Sequence, residues 1–189
     1  MNQKKMFEFN TKTIVATGLG TALFTLLFLY VKIPTGIPET EIQTAYGLGA
    51  FFAVLYGPIA GALIAFIGHA LSDSIQYGSA WWSWVIASGL TNFIIGLSFR
   101  RMRVDEGIFG TRDIIRFNIY QVVANAVAWI VVAPVLDIVI YAEPKNLVFT
   151  QGAVAAVVNI ISAGVIGTLL LKIYSRTRFQ KGSLKKDAQ

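Results

Sequence analysis

The sequence predicts an all-α integral membrane protein: six transmembrane helices in a bundle, forming a single transmembrane domain over residues 1–189. Three observations carry that expectation. Hydrophobic residues make up 55% of the chain and charged residues only 14%, where an ordinary soluble domain carries about 25% charged residues. The apolar residues come in runs of about 20, enough to cross a hydrocarbon core about 30 Å thick. The basic residues are confined to the segments between alternate runs. Cysteine is absent, which removes disulfides and thiol chemistry.

The first helix is expected over about residues 11–31. Its apolar run is too long for a signal-peptide core and no small-x-small cleavage site follows, so it reads as a retained helix. Within it, Ala16 and Gly20, and likewise Gly18 and Ala22, stand at small-xxx-small spacing. Such a face lets a second helix approach closely in lipid, where packing drives association. A neighbour in the same chain and a separate partner protein satisfy this pattern equally.

Residues 32–43, KIPTGIPETEIQ, hold two prolines and a glycine and read as an ordered loop. A short second helix over 44–56 is broken by Gly57-Pro58, and a third follows over 58–76. The link Tyr77-Gly78-Ser79 leads to a fourth helix over 81–99. The fifth is expected over 114–140 and the sixth over 150–174, with a basic tail at 175–189.

Charge then gives orientation. Six crossings put both termini on one side with the loop between the fourth and fifth helices. Those segments hold Lys4, Lys5, Lys12, Arg100, Arg101, Arg103, Arg112, Arg116, Lys172, Arg176, Arg178, Lys181, Lys185 and Lys186. Only Lys32 and Lys145 remain for the other side. The positive-inside rule therefore predicts cytoplasmic N- and C-termini. The net charge of +6 follows from topology, and nucleic acid is not an expected partner.

In this orientation the outer halves of four helices carry polar or aromatic stripes. His69, Asp73 and Gln76 share a face of the third helix, with Tyr77 beyond them and Trp81 after the link. Trp84, Ser88 and Asn92 align on the fourth, and Gln121, Asn125 and Trp129 on the fifth, which has Asp137 near its outer end. The sixth carries Gln151, Asn159 and Ser162. A charged side chain at the bilayer centre costs roughly 2.5–3.5 kcal/mol on insertion scales, so these stripes should face one another. Converging, they line a polar cavity with aromatic walls, the usual character of a small-molecule site. The candidate substrate-binding set is His69, Asp73, Gln76, Tyr77, Trp81, Trp84, Ser88, Asn125, Trp129, Gln151 and Asn159.

Plainer roles account for several of these. Asn92, Asn118, Asn125, Asn159 and Ser162 also fit interhelical hydrogen bonds, each typically worth about 0.6 kcal/mol. Trp81 and Trp82 also fit an interfacial aromatic belt. His69 with Asp73 fits a local pair that fixes its helix, a ligand contact, or a proton relay. The chain has no G-x-x-x-x-G-K-[ST] loop and no H-E-x-x-H, and it has a single histidine. Neither ATP binding in that mode nor a zinc site is expected. No catalytic residue, metal or cofactor is assigned.

The stretches FIGHALSDSIQYGSAWWSWVIASG, RFNIYQVVANAVAWIVVAPVLDIVIY and FTQGAVAAVVNIISAGVIGTLLL resemble S components of energy-coupling factor (ECF) vitamin transporters. The resemblance runs from about Thr11 to Lys186 and looks closest to the branch with the cobalamin-specific S component of lactobacilli. It implies a bacterial cell-membrane protein that binds a vitamin, cobalamin favoured, on the outer side. The implied partners are a transmembrane coupling protein and two cytoplasmic ATPases, with transport by toppling of the loaded subunit. It places the coupling-protein contact on Gly18 and Ala22, or on Ala16 and Gly20. It also makes the loop containing Pro34, Thr35, Gly36, Ile37 and Pro38 a gate over the ligand. Pocket composition alone leaves riboflavin, thiamine and hydroxymethylpyrimidine open, as well as a stand-alone proton-coupled carrier using His69 and Asp73.

Overall fold

The computed structural model describes residues 10–37 and 40–178. Six apolar helices and one β-hairpin make up the bundle. Helix α1 spans Thr11–Tyr30, and the side chain of Asn10 caps it by accepting from the Thr13 amide at 2.9 Å. Strands β1 (Lys32–Ile37) and β2 (Thr40–Gln43) follow, then α2 (Ala45–Tyr56) and α3 (Pro58–Tyr77). Helix α4 spans Trp82–Gly96 and tightens into a 3-10 turn over Leu97–Arg101. The last two helices are long and continuous: α5 covers Thr111–Tyr141 and α6 covers Lys145–Arg176.

Five of these, α1 and α3 to α6, are long and apolar enough to cross a membrane. Helix α2, with 12 residues, is not; at 1.5 Å per residue it extends only about 18 Å. The hairpin precedes it. The Ser162 hydroxyl, near the middle of α6, donates to the Gln43 carbonyl at 2.6 Å, so β2 descends into the bundle before α2 begins. Non-helical backbone at that depth must be paired or buried in protein. Here β1 and β2 pair antiparallel, Lys32 with Gln43 and Pro34 with Glu41, with an irregularity between Pro34 and Ile37 where Gly36 takes φ +84°. The ordered loop expected over residues 32–43 is thus, in its described residues, a pair of strands. Pro38 lies outside the described residues, as do Lys4, Lys5, Lys181, Lys185 and Lys186.

Two other expectations shift. Helix α6 begins at Lys145 directly after Pro144, so the anticipated loop shrinks to Ala142–Pro144. Pro144, in extended backbone, leads into the first turn without needing to donate an N–H. Helix α5 is longer than expected at its start, opened by the Asp113 carboxylate accepting from the Gly110 amide at 3.1 Å.

Both long helices contain a wide π turn, Ala126–Val132 in α5 and Ala163–Gly167 in α6. The first ends just before Ala133-Pro134. A proline inside a helix has no N–H to give and crowds the carbonyl four residues back, and a wider turn accommodates it. Trp129 sits in that turn and is fully buried. Gly152 of α6 lies against its carbonyl, where a Cβ would come within 2.2 Å.

The core falls into two parts. Under the hairpin it is rich in aromatic rings: Phe24, Phe28, Tyr46 and Trp129, with small alanines between. At the other end Val54, Ile95, Met102, Phe109, Phe117 and Leu171 pack beneath the basic loop, where the Lys172 ammonium donates to the Phe109 carbonyl at 2.9 Å. Outward faces are apolar, for example Ile14, Val15, Leu19, Leu23 and Leu26 along α1. Water would penalise such a surface and lipid does not.

Candidate functional site

A cavity of about 270 Å³ opens at the hairpin end of the bundle, between β2 and the ends of α3, α4, α5 and α6. Its aromatic walls are Phe28, Tyr46, Tyr77, Trp81, Trp84 and Trp129. Its polar lining includes Thr40, Glu41, Gln43, His69, Asp73, Asp137, Glu143, Gln151 and Asn159.

Each of the three tryptophans in these walls is held by a partner that fixes its ring. The indole N–H groups of Trp81 and Trp84 each donate to the Asp137 carboxylate at 2.7 Å, one to each oxygen. Ser83 donates to the same carboxylate. Asp137 is buried near the end of α5 and so binds the start of α4 to α5 through three donors. Charge-assisted bonds of this kind are short and directional. Trp129 donates to Asn125 Oδ1 at 3.1 Å, and Asn125 in turn donates to the Gln121 carbonyl at 2.8 Å. The rings of Trp84 and Trp129 lie 5.3 Å apart, and Tyr46 meets Trp129 edge-on at 5.5 Å.

Beside the tryptophans lies a polar chain. His69 Nε2 is 3.3 Å from Asp73 Oδ1, and its Nδ1 is 2.6 Å from the Ser88 hydroxyl. Ser88 is 2.8 Å from the Tyr46 hydroxyl. The other Asp73 oxygen accepts the Trp81 amide at 3.0 Å, near the first turn of α4. Phe28 covers the imidazole at 4.3 Å between ring centres. Both ring nitrogens of His69 are therefore engaged, and the His69–Asp73 pair joins α3 to α4 while also facing the cavity.

The hairpin closes one side. The Lys32 ammonium lies 2.8 Å from Glu41 and donates to Gln76 at 2.6 Å, tying both strands to the last turn of α3. Gln43 Nε2 donates to Glu41 at 3.1 Å.

Of the residues expected to bind substrate, His69, Asp73, Tyr77, Trp81, Trp84, Trp129, Gln151 and Asn159 line the cavity. Gln76, Ser88 and Asn125 stand behind it: Gln76 holds Lys32, Ser88 holds His69, and Asn125 holds Trp129. In the hairpin, Thr40, Glu41 and Gln43 of β2 face the cavity, while Pro34, Thr35, Gly36 and Ile37 of β1 are not part of its lining. Sequence reasoning did not single out Tyr46, Glu41, Gln43 or Glu143. Tyr46 and Gln43 lie in or beside a segment that reads as plain apolar helix, and only the descent of β2 brings them to the site.

The two small-residue pairs of α1 separate cleanly. Ala16 and Gly20 are buried within the bundle, and a Cβ on Gly20 would come within 2.6 Å of Ile64 of α3. Gly18 and Ala22 face outward, with nothing among the described residues within 4 Å of a Cβ built on Gly18.

Comparison with known proteins places this geometry in context. Residues 8–176 match the family described as ECF-type riboflavin transporter, S component. A UPF0397 protein of Exiguobacterium sp. is 59% identical over 97% of this chain and 100% of its own length. UPF0397 proteins of Streptococcus gordonii and Enterococcus faecalis are 54% and 52% identical, over 97% and 95% of this chain and 100% and 98% of their own lengths.

Proposed function

Because the chain belongs to the family of ECF-type riboflavin transporter S components, we propose that it captures a vitamin in the cavity beneath the hairpin, on the outer face of the bacterial membrane. In that role it is a substrate-binding transport subunit and not an enzyme. It would pass its ligand inward together with a transmembrane coupling protein and two cytoplasmic ATPases.

The observation that carries the reading is the cavity itself. Three tryptophans, each fixed through its indole N–H, surround a polar lining at the end of the bundle remote from the basic loop. Such pre-set aromatic walls favour binding because little side-chain freedom is lost when the ligand enters. The stand-alone carrier reading finds less support, because the family that the chain matches is one of transporter S components.

Size bears on the choice of vitamin. At about 270 Å³ the cavity is near the lower end of ligand sites, which run to about 300–1,000 Å³. A corrin ring with its amide side chains is far larger, so cobalamin would enter only with the hairpin displaced. Riboflavin, thiamine and hydroxymethylpyrimidine are closer in scale.

The test is a titration of the purified protein in nanodiscs, read by tryptophan fluorescence, against cobalamin, riboflavin, thiamine and hydroxymethylpyrimidine. At least one is expected to bind saturably, and uptake in cells is expected only when coupling protein and ATPases are co-expressed. Absence of binding by all of them, or uptake by the chain alone under a proton gradient, would overturn the proposal.

A further inference from the structure

At the end of the bundle remote from the cavity, three arginines gather where α4 gives way to α5. Arg101 closes the 3-10 turn that follows α4, and Arg112 and Arg116 share a face of α5, one turn apart. The Arg116 guanidinium donates to the Arg101 carbonyl at 3.0 Å, which joins the two segments. It also lies 3.4 Å from the Asp113 carboxylate, whose other oxygen accepts the Gly110 amide. Both contacts use Nη1 of Arg116. Among the described residues its Nε and Nη2 have no partner, and its side chain is 34% exposed. Arg101 and Arg112 are exposed and likewise unpaired among the described residues. Arg103, close by in sequence, is instead neutralised by Glu106 at 2.6 Å.

Below these arginines the surface is apolar. Leu97 opens the 3-10 turn that Arg101 closes, and Ile115 and Ile119 follow Arg112 along α5 at helical spacing. They are 36%, 56% and 59% exposed. The exposed stripe of α5 therefore ends in a guanidinium group, at the depth where a side chain leaves hydrocarbon for headgroups. At the cavity end the exposed side chains are of another kind, Tyr30, Tyr77 and Trp82.

We propose that the joint between α4 and α5 holds the phosphate of an anionic phospholipid, whose acyl chains lie along Leu97, Ile115 and Ile119. A guanidinium fork matches phosphate oxygens two at a time. Basic pockets between helices at the cytoplasmic side suit such headgroups. A free phosphate would meet the same forks but gain nothing from the apolar residues below them, so a lipid is the better occupant.

The test places the full chain in nanodiscs of equal parts phosphatidylcholine and phosphatidylglycerol, and native mass spectrometry counts the lipids retained with it. Phosphatidylglycerol is expected to be enriched over phosphatidylcholine on the order of tenfold, and Arg101→Gln or Arg112→Gln should each cut that enrichment about fivefold. Melting temperatures in phosphatidylcholine alone should be unchanged; if Arg101→Gln lowers its own, Arg112→Gln carries the test. Lys12→Gln, at the same end but on α1, which packs against α2 and α3, is expected to keep the enrichment. Retention in the bulk ratio would overturn the proposal by leaving no anionic site. An equal loss in Lys12→Gln would replace it with a diffuse positive surface. Displacement of phosphatidylglycerol by millimolar glycerol phosphate would replace it with a site for free phosphate.

Discussion

Asp137 holds more of the site together than any other side chain. Two indole N–H groups and a serine hydroxyl converge on one buried carboxylate, so Trp81 and Trp84 have their orientation only while that carboxylate accepts from both. In Asp137→Asn the side chain keeps its shape, but an amide N–H₂ is set against an indole N–H. A buried donor left unpaired costs about 1–3 kcal/mol. The expected outcome is a loss of thermal stability of that order, a red-shifted tryptophan emission and at least tenfold weaker vitamin binding. Unchanged affinity in a folded Asp137→Asn protein would show that the rings hold their places without it. The tryptophans and His69-Asp73 were legible in the sequence because polar and aromatic residues in an apolar run demand an explanation. The carboxylate's role was not, since its three donors lie more than fifty residues away and nothing local marks the contact.

At the scale of elements, α1 and the hairpin separate two jobs. Gly20 is needed inside the bundle: Gly20→Leu drives a side chain into Ile64, and overpacking of that kind costs about 1–3 kcal/mol. Gly18 and Ala22 are exposed, nothing among the described residues lies within 4 Å of a Cβ built on Gly18, and both lie on the same helix as the exposed Ile14, Val15, Leu19 and Leu23. Gly18→Leu or Ala22→Leu is therefore expected to leave folding and vitamin affinity intact while reducing co-purification with the coupling protein. Gly20→Leu should lower the melting temperature by itself. If Gly18→Leu also destabilises the isolated chain, the outward face is not a free docking surface. The spacing of these residues was visible in the sequence, but two registers fitted it equally, and only packing against α3 distinguishes them.

The hairpin was hidden for a related reason. Prolines and glycine argue against regular structure locally, yet backbone inside a bundle must pair its polar groups, and β1 and β2 do so with each other. Lys32 then fastens the pair to α3. A partly exposed ion pair of this type contributes at most about 1 kcal/mol, so Lys32→Met is expected to speed ligand release by up to about fivefold. Stopped-flow dissociation would detect it. An unchanged release rate would remove Lys32 as a latch.

The whole molecule has two unlike ends. One holds the hairpin, the cavity and the acidic residues around it; the other holds Arg100, Arg101, Arg103, Arg112, Arg116 and Arg176. Helices α1 and α3 run parallel, since Gly20 meets Ile64 and Phe24 meets Gly68, while α4 returns so that Gly96 meets Pro58. The beginnings of α1, α3 and α5 and the end of α6 therefore share the basic end. Five helices are long and apolar enough to cross a membrane, and the charge argument for cytoplasmic termini requires a sixth crossing, made by β2 and α2 together. The absence of cysteine makes this directly measurable, because a single introduced thiol reports only its own position. Asn146→Cys, exposed at the start of α6 beside the cavity, is expected to react in intact cells with a membrane-impermeant maleimide. Thr177→Cys, just beyond the end of α6, should react only after the membrane is opened. The reverse pattern would open the cavity to the cytoplasm, where a subunit that captures a vitamin from outside could not meet its ligand.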